Sequence, residues 1–384
     1  MVRFLHTADW HLGIKYSMLG DKADLAREIR METVKSLLKI AKEEDVDFIL
    51  VAGDLFDSNE VDSNLIHKTC QNLSSTGLPV YILPGNHDPL TRDSAYNDPV
   101  WDAAGNIHIL REAEPVNLTG DVTLYPCPVK QKQSKEDPTS WIERENSNIS
   151  IGLAHGNLQI PGFTDDSNFP INPSRTDLDY LALGEWHSLF QHKNKIVYPG
   201  TPETTKFGEN KSGNAVIVNL EKGEIPIIKP VHVGKLKWEN VEENIQSLED
   251  IKQLKESLEN EKNMVLNLNL RGVVGQDSFD YLENLNMDGL FFFNLNTDDL
   301  YLKPNLLEFK AMIPEGSYVP KTFKALMALM KYDPMTQELS SVSPEDADAI
   351  FNEIKDIESV QNINPEVLKR ASLMLYQMVK EVAQ

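Results

Sequence analysis

Cysteine is nearly absent: Cys70 and Cys127 are the only two in 384 residues, and they stand in neither a metal nor a redox spacing. That excludes a disulfide framework and a thiolate metal site, and it fits a reducing compartment. Long hydrophobic runs are missing as well. No apolar stretch approaches the roughly 20 residues of a membrane span, and Met1 to Thr7 reads as a strand with no signal-peptide pattern. A cytoplasmic chain with no membrane contact is therefore expected. Positive charge is also scarce, with 37 Lys and Arg against 59 Asp and Glu for a net charge of -22. A broadly basic surface is thus ruled out. The rest is ordinary: 41% hydrophobic and 25% charged residues make a chain long enough for two or three domains.

Five short motifs rich in Asp, His and Asn occupy the first half. They are D-W-H at Asp9 to His11, G-D-L-F-D from Gly53, G-N-H-D from Gly85, H-G at His155 and G-E-W-H from Gly184. Each follows an apolar run of strand length: Phe4 to Thr7, Asp47 to Ala52, Val80 to Leu83, Ile149 to Ala154 and Tyr180 to Leu183. Catalytic groups of open α/β sheets gather outside the carboxyl ends of the strands. Gly53, Gly85, Gly156 and Gly184 stand where the chain must turn sharply or let a ligand approach its backbone. Taken singly, each motif has a structural explanation. G-D-L-F-D can be a turn with a helix cap at Asp57 and Ser58, G-N-H-D an ordinary turn, and His155 a satisfied strand-end histidine. Their ordered recurrence on successive strand ends favours a shared site.

The residue types fit two divalent cations. A metal pair about 3.5 to 4 Å apart activates a shared hydroxide and neutralises a phosphate under in-line attack. Asp54 can supply the bridging carboxylate, and Asp9, His11, Asn86, His155, Glu185 and His187 are ligands of the right kind. A mixture of imidazole, carboxylate and amide oxygen without thiolate favours Mn2+, with Zn2+ as the alternative. His87, beside a metal-bound Asn86, is well placed to act as an acid.

In this order, D-x-H, GD-x-x-D, GNHD, H-G and G-x-x-H resemble the calcineurin-like metallophosphoesterase superfamily. The phrases H-T-A-D-W-H-L-G, V-A-G-D-L-F-D, L-P-G-N-H-D and Y-P-G-T-P-E (Tyr198 to Glu203) are similar more narrowly to DNA-repair exonucleases of the SbcD type. The resemblance spans about residues 1 to 230. It implies that Asp9, His11 and His187 hold one metal and Asn86, His155 and Glu185 the other, with Asp54 bridging. It further implies that His87 contacts the scissile phosphate and protonates the leaving oxygen, and that Asp88 orients His87. One position departs from the pattern, since Glu185 stands where the family usually has His. A carboxylate there can ligate manganese, or else leave the second site weak. The implied function is a double-strand DNA exonuclease, with endonuclease action in its range, partnered by an SbcC-type coiled-coil ATPase and forming a homodimer through helices near Asp21 to Glu44. A phosphatase or cyclic-nucleotide phosphodiesterase, and a non-catalytic scaffold, are the rival readings.

The net charge of -22 opposes DNA binding, whose affinity comes largely from Lys and Arg. Bound metals, a partner and local clusters offset it. The clusters are Lys15, Lys22, Arg27 and Arg30; Lys130, Lys132 and Lys135; and Lys193, Lys195, Lys206 and Lys211.

Hydrophobic periodicity predicts helices over Asp24 to Glu44 and Val61 to Leu73, then mainly short strands after Gly105. The expected fold is an α/β metallophosphoesterase sandwich of two sheets flanked by helices over 1–230, a small α/β cap over 231–313 and a helical partner-binding tail over 314–384. In the cap, a strand is expected near Val231 to Leu236, a helix over Leu248 to Leu258, a strand over Val265 to Leu270, a helix around Ser278 to Leu285 and a strand at Leu290 to Leu295. In the tail, helices are expected over Pro320 to Lys331, Ser343 to Ile357 and Asn364 to Val382. The last of them is apolar nearly all round and needs more than one neighbour.

Overall fold

A computed structural model describes the chain except residues 119–120, 145–147, 165, 167, 175–176, 304–318, 332–347, 351, 353–363 and 384. It divides into two compact units, Met1–Glu239 with Asn263–Val265, and Asn240–Lys262 with Leu266–Gln384.

In the first unit the strands are β1 (Val2–Thr7), β2 (Phe48–Ala52), β3 (Val80–Leu83), β4 (Ile107–Ile109), β5 (Val116–Asn117), β6 (Val122–Cys127), β7 (Ile149–His155), β8 (Asn157–Leu158), β9 (Pro170–Ile171), β10 (Tyr180–Gly184), β11 (Phe190–His192), β12 (Ile196–Tyr198), β13 (Asn214–Leu220) and β14 (Ile227–His232). They form two six-stranded sheets, in the orders β14-β13-β1-β2-β3-β4 and β11-β12-β10-β7-β6-β5, while β8 and β9 pair separately.

The central strands are buried on both faces, which is why Phe48 to Ala52 is apolar without interruption. Successive residues serve different cores. Phe4, Phe48 and Leu50 meet Leu124, Ile151, Leu153 and Tyr180 between the sheets. Leu5, Ile49 and Val51 pack instead against Met31, Val34, Leu37, Ile66 and Leu73, which lie on helices α1 (Ala23–Glu43) and α2 (Ser63–Ser74). On the outer face of the second sheet, Tyr125, Leu181 and Leu183 pack with Ile142, Leu158, Ile171 and Leu178 from loops and short strands. The N-cap of α2 is Asp62, whose side chain accepts from Asn64 N at 2.7 Å. Asp57 and Ser58 are therefore not the cap, and Asp57 is free for another use.

Parallel pairing fixes the ends of the strands. Thr7 lies opposite Val51, Ala52 opposite Leu83 and Gly184 opposite His155. The loops carrying all five motifs consequently leave their sheets at the same edge.

The second unit carries a three-stranded sheet of β15 (Lys237–Ile245), β16 (Met264–Val274) and β17 (Phe292–Leu302), in that order. Helix α3 (Leu248–Leu258) begins with a capping box between Ser247 and Asp250, and α4 (Gln276–Glu283) follows β16. The strand expected near Val231 to Leu236 is a correction. β14 ends at His232, and 233–236 connects it to β15, because Gly234 passes against the backbone of Gly213 and leaves the ladder. Helices α5 (Val319–Lys331) and α6 (Pro365–Ala383) share a core of Leu302, Ala328, Leu368 and Tyr376. The helix expected over Ser343 to Ile357 lies largely outside the described residues. On α6, Met378 is exposed rather than packed, together with Val367 and Met374.

Candidate metal centre

Asp9 and His11 follow β1, Asp54 follows β2, Asn86 and His87 follow β3, His155 closes β7, and Glu185 and His187 follow β10. The backbone there is unusual. Asp9 (φ 54°), His11 (φ 42°), Asp54 (φ 52°) and Glu185 (φ 104°) all adopt positive φ without being glycine, a conformation that is costly for most side chains and clusters at functional sites. Close approach accounts for two of the glycines. A Cβ on Gly85 would collide with the Asp54 carboxylate and backbone N, and one on Gly53 with the His155 ring.

Two groups of ligand atoms meet around Asp54. On one side, His11 Nε2 lies 3.0 Å from His187 Nε2 and 3.8 Å from Asp54 Oδ2; one oxygen of Asp9 lies with these two imidazoles in a compact donor set. On the other, His155 Nε2 lies 3.3 Å from Asp54 Oδ2, 3.3 Å from Asn86 Oδ1 and 3.0 Å from Glu185 Oε2. The seven residues predicted from sequence as ligands thus converge. Asp54 Oδ2 stands between the two histidine groups, and its Oδ1 accepts from His87 N at 2.9 Å.

Hydrogen bonding from behind determines which nitrogen each ring presents. His155 Nδ1 donates to Ala52 O at 2.9 Å, His11 Nδ1 faces Asp57 Oδ1 at 3.2 Å, and His187 Nδ1 faces Glu209 Oε1 at 2.5 Å. Each neutral ring then turns an Nε2 lone pair inward, the arrangement typical of metal-ligating histidines. Two such lone pairs 3.0 Å apart repel, as do a lone pair and three acceptor oxygens, unless a proton or cation lies among them. Glu185 Oε2 is buried without a hydrogen bond. The donor set therefore fits cations, and its nitrogen and oxygen character fits hard or borderline ones.

The electrostatics agree. Burial pushes the Asp9 carboxyl up to about 7 and the His11 imidazole down to about 4. Burial also works against charge on His155, but the Asp54 and Glu185 carboxylates outweigh it and raise the imidazole well above its usual value. The same contest leaves Asp54 well below the carboxylate range, held there chiefly by His155.

His87 is exposed, its ring 4.8 Å from that of His11, and its Nδ1 lies 3.0 Å from Asp57 O. Asp88 does not face it. The buried Asp88 carboxylate accepts from Gly85 N at 2.7 Å, Phe56 N at 2.9 Å and Tyr96 Oη at 2.6 Å. It clamps the G-N-H-D turn onto the loop after β2, and the expectation that it orients His87 is corrected: Asp57 O does that.

Sequence reasoning passed over Asp57 as a partner of His11, and Glu209 altogether. Asp57 lies within a quoted motif, but nothing marks Glu209. It is held by Thr205 N at 2.7 Å and by Thr205 Oγ1. Despite burial, the His187 hydrogen bond draws it down to about 2. Arg30, 1% exposed, links the two loops that face each other across the first group. Its guanidinium donates to Trp10 O at 2.6 Å and to Glu203 O and Thr204 O at 2.6 and 3.0 Å.

The family described as calcineurin-like phosphoesterase matches residues 2–220. Among curated relatives, the SbcD component of the SbcCD nuclease of Escherichia coli (strain K12) is 37% identical over 308 residues, covering 66% of this chain and 75% of its own. The DNA double-strand break repair protein Mre11 of Sulfurisphaera tokodaii is 25% identical over 288 residues, 70% of this chain and 73% of that one. Mre11 of Saccharolobus solfataricus is 25% identical over 396 residues, covering 96% and 98%.

Proposed function

The chain belongs to the calcineurin-like phosphoesterase family, a family of dinuclear metal-dependent hydrolases, and on that premise we propose that it is a manganese-dependent DNA phosphodiesterase acting at duplex ends. The observation that carries the hydrolytic part is the meeting of inward-facing imidazole nitrogens and carboxylate oxygens on either side of Asp54. The DNA part is supported by relatives named as nuclease and break-repair proteins at 25 to 37% identity.

In this reading Asp9, His11 and His187 would hold one ion and Asn86, His155 and Glu185 the other, with the Asp54 carboxylate shared between the two groups. Two such ions, when bound, would activate water as a nucleophile and offset the charge of the scissile phosphate. Asp57 and Glu209 fix the rings of His11 and His187. His87, tethered through Nδ1 to Asp57 O, offers Nε2 to the departing 3′ oxygen and delivers a proton to it. Glu185 serves as a ligand in place of the imidazole usual in the family, and its approach to His155 Nε2 at 3.0 Å supports that role over a degenerate site.

Residues 231–313 act as a cap domain in DNA binding, and 314–384 as the docking tail for an SbcC-type coiled-coil ATPase. The protein works in the cytoplasm as a homodimer formed through α1. No helix among the described residues is long and apolar enough to cross a membrane.

The test is degradation of end-labelled linear duplex DNA with Mn2+, against a closed circle and the His87→Ala variant. Cleavage of the linear form that requires both Mn2+ and His87 is expected. Hydrolysis of a simple phosphodiester with linear DNA left intact would replace this reading with a small-substrate phosphodiesterase.

A further inference from the structure

The chain carries a net charge of -22, yet one cleft of the first unit is lined by cations. It encloses about 250 Å³ between the loop Thr204 to Ser212 and the connection from His232 to Glu239, with Lys211, His232, Lys235, Lys237 and Trp238 on its walls. Its acidic residues are already engaged. Glu209 is held by His187 and Thr205, and Glu239 pairs with Lys237 at 3.3 Å. Lys211 and Lys235 are exposed and make no close ion pair among the described residues, although the Glu32 carboxylate feels the charge of Lys235. The larger cavity of the second unit holds two ion pairs, Arg271 with Glu242 and Arg370 with Asp299, beside Lys369.

The cleft adjoins the metal centre through its own wall. Thr204 and Glu209 line it, and Glu209 is separated from the ligand cluster only by the His187 ring. Its aromatic side is rigid, with Trp238 stacked on Tyr16 at 5.9 Å and meeting Phe207 edge-on at 4.9 Å. The Trp238 indole N–H has no acceptor among the described residues. Exposed lysines outside any close ion pair, at a cleft beside a phosphoesterase centre on an otherwise acidic protein, match a polyanion that extends beyond the reacting phosphate.

We propose that this cleft is a phosphate-backbone subsite that grips DNA beside the scissile bond, with Lys211 and Lys235 each contacting a backbone phosphate. This rests on the reading of the chain as a DNA phosphodiesterase. It places electrostatic affinity in a local strip and removes the need for a basic surface.

The experiment compares the native chain, the Lys211→Gln/Lys235→Gln variant, and a Lys35→Gln/Lys39→Gln control. The control makes the same charge change on α1, where both lysines are paired with glutamates. Anisotropy of a labelled linear duplex is followed between about 50 and 200 mM salt. Each lost phosphate contact lowers the slope of log affinity against log salt by about 1, so the cleft variant is expected to lose about 2 from that slope and to bind about tenfold or more weakly at low salt. Hydrolysis of bis(p-nitrophenyl) phosphate should stay within about twofold of native, reporting an intact fold and metal centre. A slope equal to native, or an equal fall in the control, overturns the subsite while leaving the DNA phosphodiesterase reading in place. Absence of DNA binding by the native chain overturns both.

Discussion

His187 shows how little of a candidate metal ligand's behaviour belongs to the ligand alone. Its ring is fixed by Glu209, which is fixed in turn by Thr205, so the inward nitrogen is set by residues that never face the cluster. Truncating such a partner usually weakens metal binding 10- to 100-fold. Glu209→Ala should therefore lower the affinity for one of two Mn2+ ions by about that factor, read as two unequal binding steps in titration calorimetry. Glu209→Gln, which keeps an acceptor oxygen, should lose less; equal losses for the two variants would show that charge, and not ring orientation, matters. The candidate ligands themselves were legible because each stands at or just beyond a strand end in a short motif. Glu209 was not, since it lies 22 residues beyond His187 on a loop whose return is set by tertiary contacts. The family resemblance implied that Asp88 orients His87, whereas the turn directs its carboxylate inward, toward Tyr96.

At the scale of elements, the period of the apolar residues identified the strands and helices around the site, and pairing supplied what periodicity cannot, namely which strand ends are neighbours. Val80 to Leu83 and Leu248 to Leu258 fall where their patterns place them. Val231 to Leu236 failed because its apolar residues reach two places: Val231 extends β14 and the first helical core, whereas Leu236 lies beyond the turn at Gly234. The sheets also bury a titratable link, His6 on β1 with Nδ1 3.0 Å from Tyr180 Oη on β10. Burial lowers its imidazole to about 3 from 6.5. Between those values the unfolded chain binds a proton that the folded chain does not, so stability rises with pH there and is lost as pH falls from 6.5 toward 3. The limiting slope is about 1.4 kcal/mol per pH unit. Urea unfolding of His6→Phe at several pH values should show a dependence shallower by up to that amount, whatever its stability at neutral pH. An unchanged slope would mean that His6 is not the group responsible.

For the whole molecule, the metal centre joins loops from both sheets, so occupancy and global stability are linked. Ligand at about 100 times its Kd adds about 2.7 kcal/mol to a fold that binds it only when native. Mn2+ at that level should raise the calorimetric Tm, EDTA should reverse the rise, and Asp54→Ala should abolish it; a rise of equal size in Asp54→Ala would place the ions elsewhere. The positive φ values at Asp9, His11, Asp54 and Glu185 carry this further. The same backbone that aims the candidate ligands inward is a conformation costly for most side chains, and at Asp9 it coincides with a carboxyl that burial drives up to about 7. Asparagine tolerates the left-handed region and carries no charge, so Asp9→Asn should make the metal-free protein more resistant to urea while it binds Mn2+ less well. A chain of this kind has a ready evolutionary exit, in which drift at a single ligand is rewarded by sturdiness, and only selection for hydrolysis keeps the acid in place.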